Sequence, residues 1–409
     1  MSLKHTDPQA YALLERECRF RAESFDLVPS DNHPSPSVLE AERMYPLFYS
    51  ENDGRNFYYP GCGTVKEVEE LAKARALALF PGAEHVNVKP TDGTRGNEAV
   101  YRALLRNGDT ILSLGLADGG HLSHGLKWNY SGQDYKIVSY EVTPDGRLDY
   151  DQIRDLALRE KPKMIIAGGS SCPFQFDFAT FGAIAKESGA LLHADISHFV
   201  GLVITGHHPS PFPHADSMMT TVQKTLKGQK GAIAFCRAAE ARNLDRSVFP
   251  GVMAHATGAQ LLAKAVAFAE AAQPSFKTYI DRVVENIQAL ASEFLACGFK
   301  LVAGGTKTHL LILDLRGMSM NGKEGEAKLE AAGLLANKQL VPKDPNPPTI
   351  TSGIRFGSPA VTARGLGPDD MRAIARWVKR LLLDGEDPAR VREEVKALAL
   401  RHPVPGLSS

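Results

Sequence analysis

The 409 residues carry 47 lysines and arginines against 47 aspartates and glutamates, so the formal net charge is zero, and 43% of the residues are hydrophobic. That balance argues against disorder and against nucleic acid as the main partner. The opening residues are polar and no apolar run reaches the ~18 residues of a spanning helix, so neither a signal peptide nor a membrane partner is expected. The five cysteines are scattered and lack CxxC spacing, which fits reduced thiols in a cytoplasmic protein and leaves no metal site expected.

In chain order, Asp7 and Pro8 read as a cap and first-turn proline of a charged helix, a packing arm rather than a core element. The stretch VPSDNHPSPSV (28–38) is an irregular loop. YSENDGRNFYYPGCG (49–63) gathers Tyr49, Glu51, Tyr58 and Tyr59 among glycines, unusually dense in hydroxyl and carboxylate groups for a connector. Thr64 with Glu67 reads as a capping box for a helix that turns Val68, Leu71 and Leu79 toward the core. Val86 to Val88 reads as a strand, and KPTDGTRGN then opens onto a helix beginning near Asn97. A Gly-Thr turn at a helix N-terminus offers N–H groups and a hydroxyl to a phosphate.

From there strands and helices alternate: DTILSLGL, KIVSYEV, a helix over 148–160, KMIIAGGSS, a helix after Phe178, then ALLHAD. Near-continuous apolar strands alternating with helices predict an α/β fold with a mostly parallel sheet covered on both faces. Two apolar runs end in polar chemistry, 190–194 in Asp195 with His198 beyond it, and 216–222 in Gln223 and Lys224. If these strands are parallel, both ends face one crevice at the carboxyl edge of the sheet. A lysine and a carboxylate opposed in this way suit pyridoxal phosphate, which needs an amine for a Schiff base and an acid to hold its pyridine nitrogen protonated. GAIAFC (231–236) reads as a further buried strand. Beyond it come a helix over 257–272, a second starting after Pro274, and a smaller α+β succession. The expected organisation is an arm over 1–30, a large cofactor-binding domain over 31–273 and a small domain over 274–409.

The TDGTRGN turn, ADGGHLSHG, HADISH, TTVQKTLKG and SGIRFGSPA together resemble the serine hydroxymethyltransferase family, fold-type I pyridoxal-phosphate enzymes, over nearly the whole chain. The resemblance implies Lys224 as the Schiff-base lysine, Asp195 as the partner of the pyridine nitrogen, His198 near the cofactor's phenolic oxygen and His121 stacked on its ring. Gly93 and Thr94 fall in the phosphate turn, with Ser170, Thr221 and Gln223 beside the cofactor. Ser30, Tyr59 and Arg355 match substrate-binding positions, Arg355 as a two-pronged carboxylate anchor. Glu51 matches the acid or base carboxylate. Tyr49, Glu51, Tyr58 and Tyr59 match groups donated by a partner subunit, so a homodimer or larger oligomer with shared sites is implied. Leu116, Gly120 and Gln339 fall at folate positions, which implies tetrahydrofolate as co-substrate beside an amino-acid substrate.

The departures from the family pattern cluster at the site. Gln223 stands for a histidine and Gln339 for an asparagine. Asp92 brings a carboxylate to the phosphate turn, which Arg95 is expected to offset. Ala254 and His255 replace a glycine pair that reaches the neighbouring subunit's phosphate, so His255 is a cofactor-binding candidate. The tyrosine and arginine of the family's SAYxR segment are lost from 170–174. The leading expectation is a hydroxymethyltransferase that makes and breaks the Cα–Cβ bond of serine. The alternatives are an α-methylserine-type hydroxymethyltransferase, a threonine aldolase or a transaldolase with another aldehyde, and, in a different class, a non-catalytic or RNA-binding descendant.

Overall fold

The structure is a computed structural model and describes residues 2–43, 52 and 57–407. Along the chain its strands are β1 (Phe25–Asp26), β2 (His85–Asn87), β3 (Thr110–Leu114), β4 (Lys136–Tyr140), β5 (Met164–Gly168), β6 (Leu191–Asp195) and β7 (Ser217–Thr221). They continue as β8 (Ala232–Cys236), β9 (Lys300–Leu301), β10 (Leu310–Asp314), β11 (Leu334–Leu335), β12 (Asn337–Gln339) and β13 (Gly353–Gly357). Seven strands form the main sheet in the order β2-β8-β7-β6-β5-β3-β4. β4, β3, β5, β6 and β7 are mutually parallel, while β8 runs antiparallel to both β7 and β2.

The apolar runs bury both faces, as a parallel sheet with helical covers requires. Leu112, Ile165, Ala167, Ile233 and Phe235 enter one core, while their alternating neighbours Ile111, Met164, Ile166, Ala234 and Cys236 enter another on the opposite face. A third core joins Phe25 and Leu27 to the helix Pro274–Ala296, to β10 and β13, and to the closing helices Pro368–Leu382 and Pro388–Arg401. The early chain reaches that core because β1 pairs in parallel with β11. β10 is flanked by β9 and β13, with β12 beyond β13, in an antiparallel sheet of four.

Several boundaries differ from the sequence reading for identifiable reasons. The helix after the phosphate turn begins at Gly93, four residues before Asn97, because the Asp92 side chain caps it by accepting from the Arg95 backbone N–H at 3.0 Å. The helix expected from a Thr64–Glu67 capping box starts at Gly63 behind Cys62 without a side-chain cap, and Leu71 is 40% exposed on its outer face. Asp7 does cap the first long helix, Pro8–Ala22, accepting from Ala10 N–H at 3.0 Å. That helix buries none of its side chains.

Candidate active site

Parallel pairing of β5, β6 and β7 puts their carboxyl ends side by side, with Gly168 opposite Asp195 and Asp195 opposite Met219. The polar residues that follow each strand therefore open into one cleft of about 430 Å³. Lys224 and Asp195 both line it, as do His121, His198, Ser170 and Arg355. Gly93, Thr94, Thr221, Gln223 and Ser30 complete the expected residues found on its wall, and Asp92, Ser197 and Lys230 join them. A larger surface groove of about 600 Å³ between Arg147 and Lys307 gathers no comparable set.

Asp195 is 4% exposed and held from behind. Its Oδ2 accepts from His124 Nε2 at 2.9 Å and Asn97 Nδ2 at 3.0 Å, and its Oδ1 accepts from Ser197 N–H at 3.1 Å. His124 Nδ1 faces the His121 backbone N–H at 3.3 Å, which makes Nδ1 the acceptor and leaves the proton on Nε2, aimed at the carboxylate. Asn97 is oriented in turn, its Oδ1 lying 3.0 Å from His193 Nε2, whose Nδ1 sits 2.9 Å from Ser217 Oγ. Burial alone would raise the Asp195 carboxyl, but the hydrogen bonds from His124 and Ser197 hold it well below the usual carboxylate range. Asp195 is thus an ionised acceptor facing the cleft.

Lys224 follows β7 and is 8% exposed. Asn32 from the early loop donates to its backbone carbonyl at 2.8 Å and to Tyr279 Oη at 2.9 Å. Thr225 Oγ1 donates to His198 O at 3.1 Å and accepts from Gly201 N–H at 3.0 Å, tying the lysine loop to the segment after β6. Burial lowers the Lys224 ammonium to about 8, with Arg355 adding to the shift and Asp195 opposing it. An amine in that range supplies the neutral nucleophile near neutrality.

His121 is pushed down to about 4 by burial, so its ring is neutral, with Nδ1 2.7 Å from Ser123 Oγ. His198 is buried, lies against His309 with ring centroids 5.6 Å apart, and among the described residues has no hydrogen-bond partner at Nδ1. Burial, Lys224 and Arg355 keep it well below the usual imidazole value. Arg355, on β13, donates through Nη1 to Ser170 O at 2.7 Å and Ser171 Oγ at 2.9 Å, and through Nε to Asn337 Oδ1 at 3.1 Å. Those three bonds engage Nε and Nη1. Gln223 spends its Oε1 on Gly231 N–H at 3.3 Å.

Other expected residues lie elsewhere. Gln339 is outside the cleft wall and its Oε1 accepts from Ser171 Oγ at 2.7 Å, which links it to Arg355 through one hydroxyl. Leu116 is 46% exposed, and Gly120 is buried with its N–H on Gly115 O at 2.9 Å. Tyr58 and Tyr59 are exposed at 63% and 51%, His255 is exposed as well, and none of the three is among the residues lining the cleft. Tyr49 and Glu51 fall outside the described residues. Arg95 does not offset Asp92, because its guanidinium pairs with Glu98 at 2.7 Å.

The sequence reading missed Asn97, His124, His193, Ser171, Asn337 and His309. His193 left a usable trace, since a polar side chain inside an apolar run must find a partner when buried.

Among known proteins, the family profile of serine hydroxymethyltransferase matches residues 3–378. A serine hydroxymethyltransferase of Crocosphaera subtropica is 44% identical over 408 residues, covering 98% of this chain and 95% of the relative. One from Acidobacterium capsulatum is 43% identical over 411 residues, covering 99% and 96% respectively. Identity at that level along the full length, with the cleft residues brought together on the strand ends, means that this chain belongs to the serine hydroxymethyltransferase family.

Proposed function

We propose that the cleft holds pyridoxal 5'-phosphate and that the chain uses it to exchange a hydroxymethyl group between serine and glycine, with tetrahydrofolate as the one-carbon carrier. The observation that carries this reading is the convergence of Asp195 and Lys224 on one cleft from neighbouring parallel strand ends. The donor set fits the cofactor part by part. The turn at Gly93 and Thr94 opens a 12-residue helix and presents N–H groups to a phosphate. Asp195, ionised and held by His124 and Asn97, accepts from a protonated ring nitrogen. His121 offers a neutral ring to stack on, and Lys224 the amine for covalent attachment.

Bound there, pyridoxal 5'-phosphate supplies an electron sink for the negative charge left at Cα when the Cα–Cβ bond breaks. The chain's own residues handle the rest. Arg355 holds the substrate carboxylate, and Ser30 assists from the early loop. Glu51, together with Tyr49, Tyr58 and Tyr59, serves the partner subunit's cleft, with Glu51 moving the proton at the Cβ oxygen. Leu116, Gly120 and Gln339 contact the folate. The commitment of Gln339 to Ser171 favours a second reading, in which another aldehyde replaces the folate-borne carbon.

Absorbance of the purified chain with glycine separates the two. A visible band that grows when tetrahydrofolate is added supports the serine–glycine reaction. A band indifferent to folate, with aldehyde release from a β-hydroxy amino acid, supports the second. No band in either condition would end both readings.

A further inference from the structure

Asp92 poses a problem for an anion site. It caps the helix whose N-terminus forms the phosphate turn, it lines the cleft, and Arg95 has turned away to Glu98. A carboxylate beside a dianion is unfavourable unless a nearby cation offsets it.

A cation is present underneath. Lys264, in the helix Gly258–Ala271, is 1% exposed. Its Nζ donates to Val88 O at 2.6 Å, Pro90 O at 2.8 Å and Ala232 O at 3.0 Å. Those carbonyls belong to the segment leading into the phosphate turn and to the start of β8. Three acceptors around one nitrogen select the ammonium, because a neutral amine has two N–H bonds and would turn its lone pair on the third oxygen. The backbone makes room for it: a Cβ at Gly231 would lie 2.4 Å from Lys264 Cε.

Other charged groups near this helix, Lys230 apart, are engaged elsewhere. Arg75 donates to Ala265 O at 2.8 Å, Lys73 pairs with Glu69 at 2.8 Å, and Lys89 donates to Asn52 O at 3.0 Å. Glu270 accepts from Ser35 Oγ at 2.6 Å, and Lys230 opens into the cleft itself. Burial lowers Lys264 to about 7, and the charge opposing that shift is Asp92.

We propose that Lys264 is the buried counter-charge of the phosphate turn, a positioning residue that offsets Asp92 and allows the Asp92–Thr94 turn to accept a phosphate dianion. The inference rests on the cofactor reading above and assigns a residue that does not touch the cofactor. A bound dianion favours the ammonium further, so phosphate binding and proton retention at Lys264 are linked.

The test compares two ligands that differ by the phosphate alone. Dissociation constants of pyridoxine 5'-phosphate and pyridoxine are measured by equilibrium dialysis on the full-length chain stripped of cofactor, from pH 7 to 9. Their ratio isolates the phosphate and cancels effects on the ring. In the wild type the advantage of the phosphate is expected to fall about tenfold or more over that range, as Lys264 loses its proton. Lys264→Met should lower the advantage at pH 7 and flatten its pH dependence. Asp92→Asn keeps the helix cap, removes the opposing charge and should raise the advantage at every pH, which keeps the idea testable if the buried lysine variant does not fold. A Lys264→Met curve parallel to the wild type would overturn the proposal and give the pH dependence to another group. An Asp92→Asn ratio equal to the wild type would also overturn it. Absence of pyridoxine 5'-phosphate binding in the wild type would instead remove the cofactor reading itself.

Discussion

At the scale of single residues, the site is a set of protonation states fixed by burial and by hydrogen-bond partners. Asp195 is ionised, His121 and His198 are neutral, and Lys224 is poised between its two forms near pH 8. Attachment of pyridoxal 5'-phosphate to the stripped chain should therefore accelerate up to about pH 8 and level off above it, followed by absorbance. A rate that keeps climbing toward pH 10, as for a solvated lysine, would show that the amine is not desolvated. The same shift has a stability consequence of definite sign. Between about 8 and the 10.5 of an ordinary lysine the unfolded chain holds a proton that the folded chain has released, so the stripped protein gains stability as pH rises through that window.

At the scale of elements, the chemistry depends on how closely the strand ends approach. Gly168 closes β5 at φ +156°, and a Cβ there would stand 2.2 Å from the Asp195 carbonyl oxygen. Gly168→Ala should cost at least about 2 kcal/mol in chemical denaturation, through a backbone conformation L-residues avoid and a clash that pushes β5 from β6. An unchanged midpoint would mean that the two ends can part without loss. The strands themselves were legible in sequence, because long apolar runs ending in Asp195 and Lys224 carry both the fold and the location of the cleft. The supports were not. Asn97, His124 and His193 make one hydrogen-bonded chain behind Asp195, yet they come from three segments, and no local period relates them. The helix start at Gly93 escaped for a related reason: Asp92 was read as a charge facing phosphate, whereas its side chain is also a cap. Lys264 is one polar residue among the alanines of the helix Gly258–Ala271, and only the three carbonyls it meets give it a role.

At the scale of the whole molecule, the cleft lies where the main sheet meets β13, whose Arg355 reaches back to Ser170 and Ser171 beyond β5. We propose that Pro274, at the head of the helix linking these two regions, marks the boundary between a large and a small domain, with residues 1–30 as an arm. Among the described residues no helix is long and apolar enough to cross a membrane. The exposed Tyr58 and Tyr59 are not among the residues lining the cleft, and the proposed shared site gives them a role across a two-fold interface. An isologous dimer makes that arrangement testable by complementation. In the proposed arrangement Lys224→Ala should disable the cleft of its own chain, whereas Glu51→Gln should disable the cleft of its partner. Each homodimer should be nearly inactive. After unfolding and refolding an equal mixture, half of the dimers are hybrids, and each hybrid gathers both lesions in one cleft and leaves the other intact. Serine turnover should therefore recover to about a quarter of the wild-type value. Mixtures that stay as inactive as their parents, although native mass spectrometry shows the hybrids present, would place Glu51 and Lys224 in the same chain's cleft and end the shared-site arrangement.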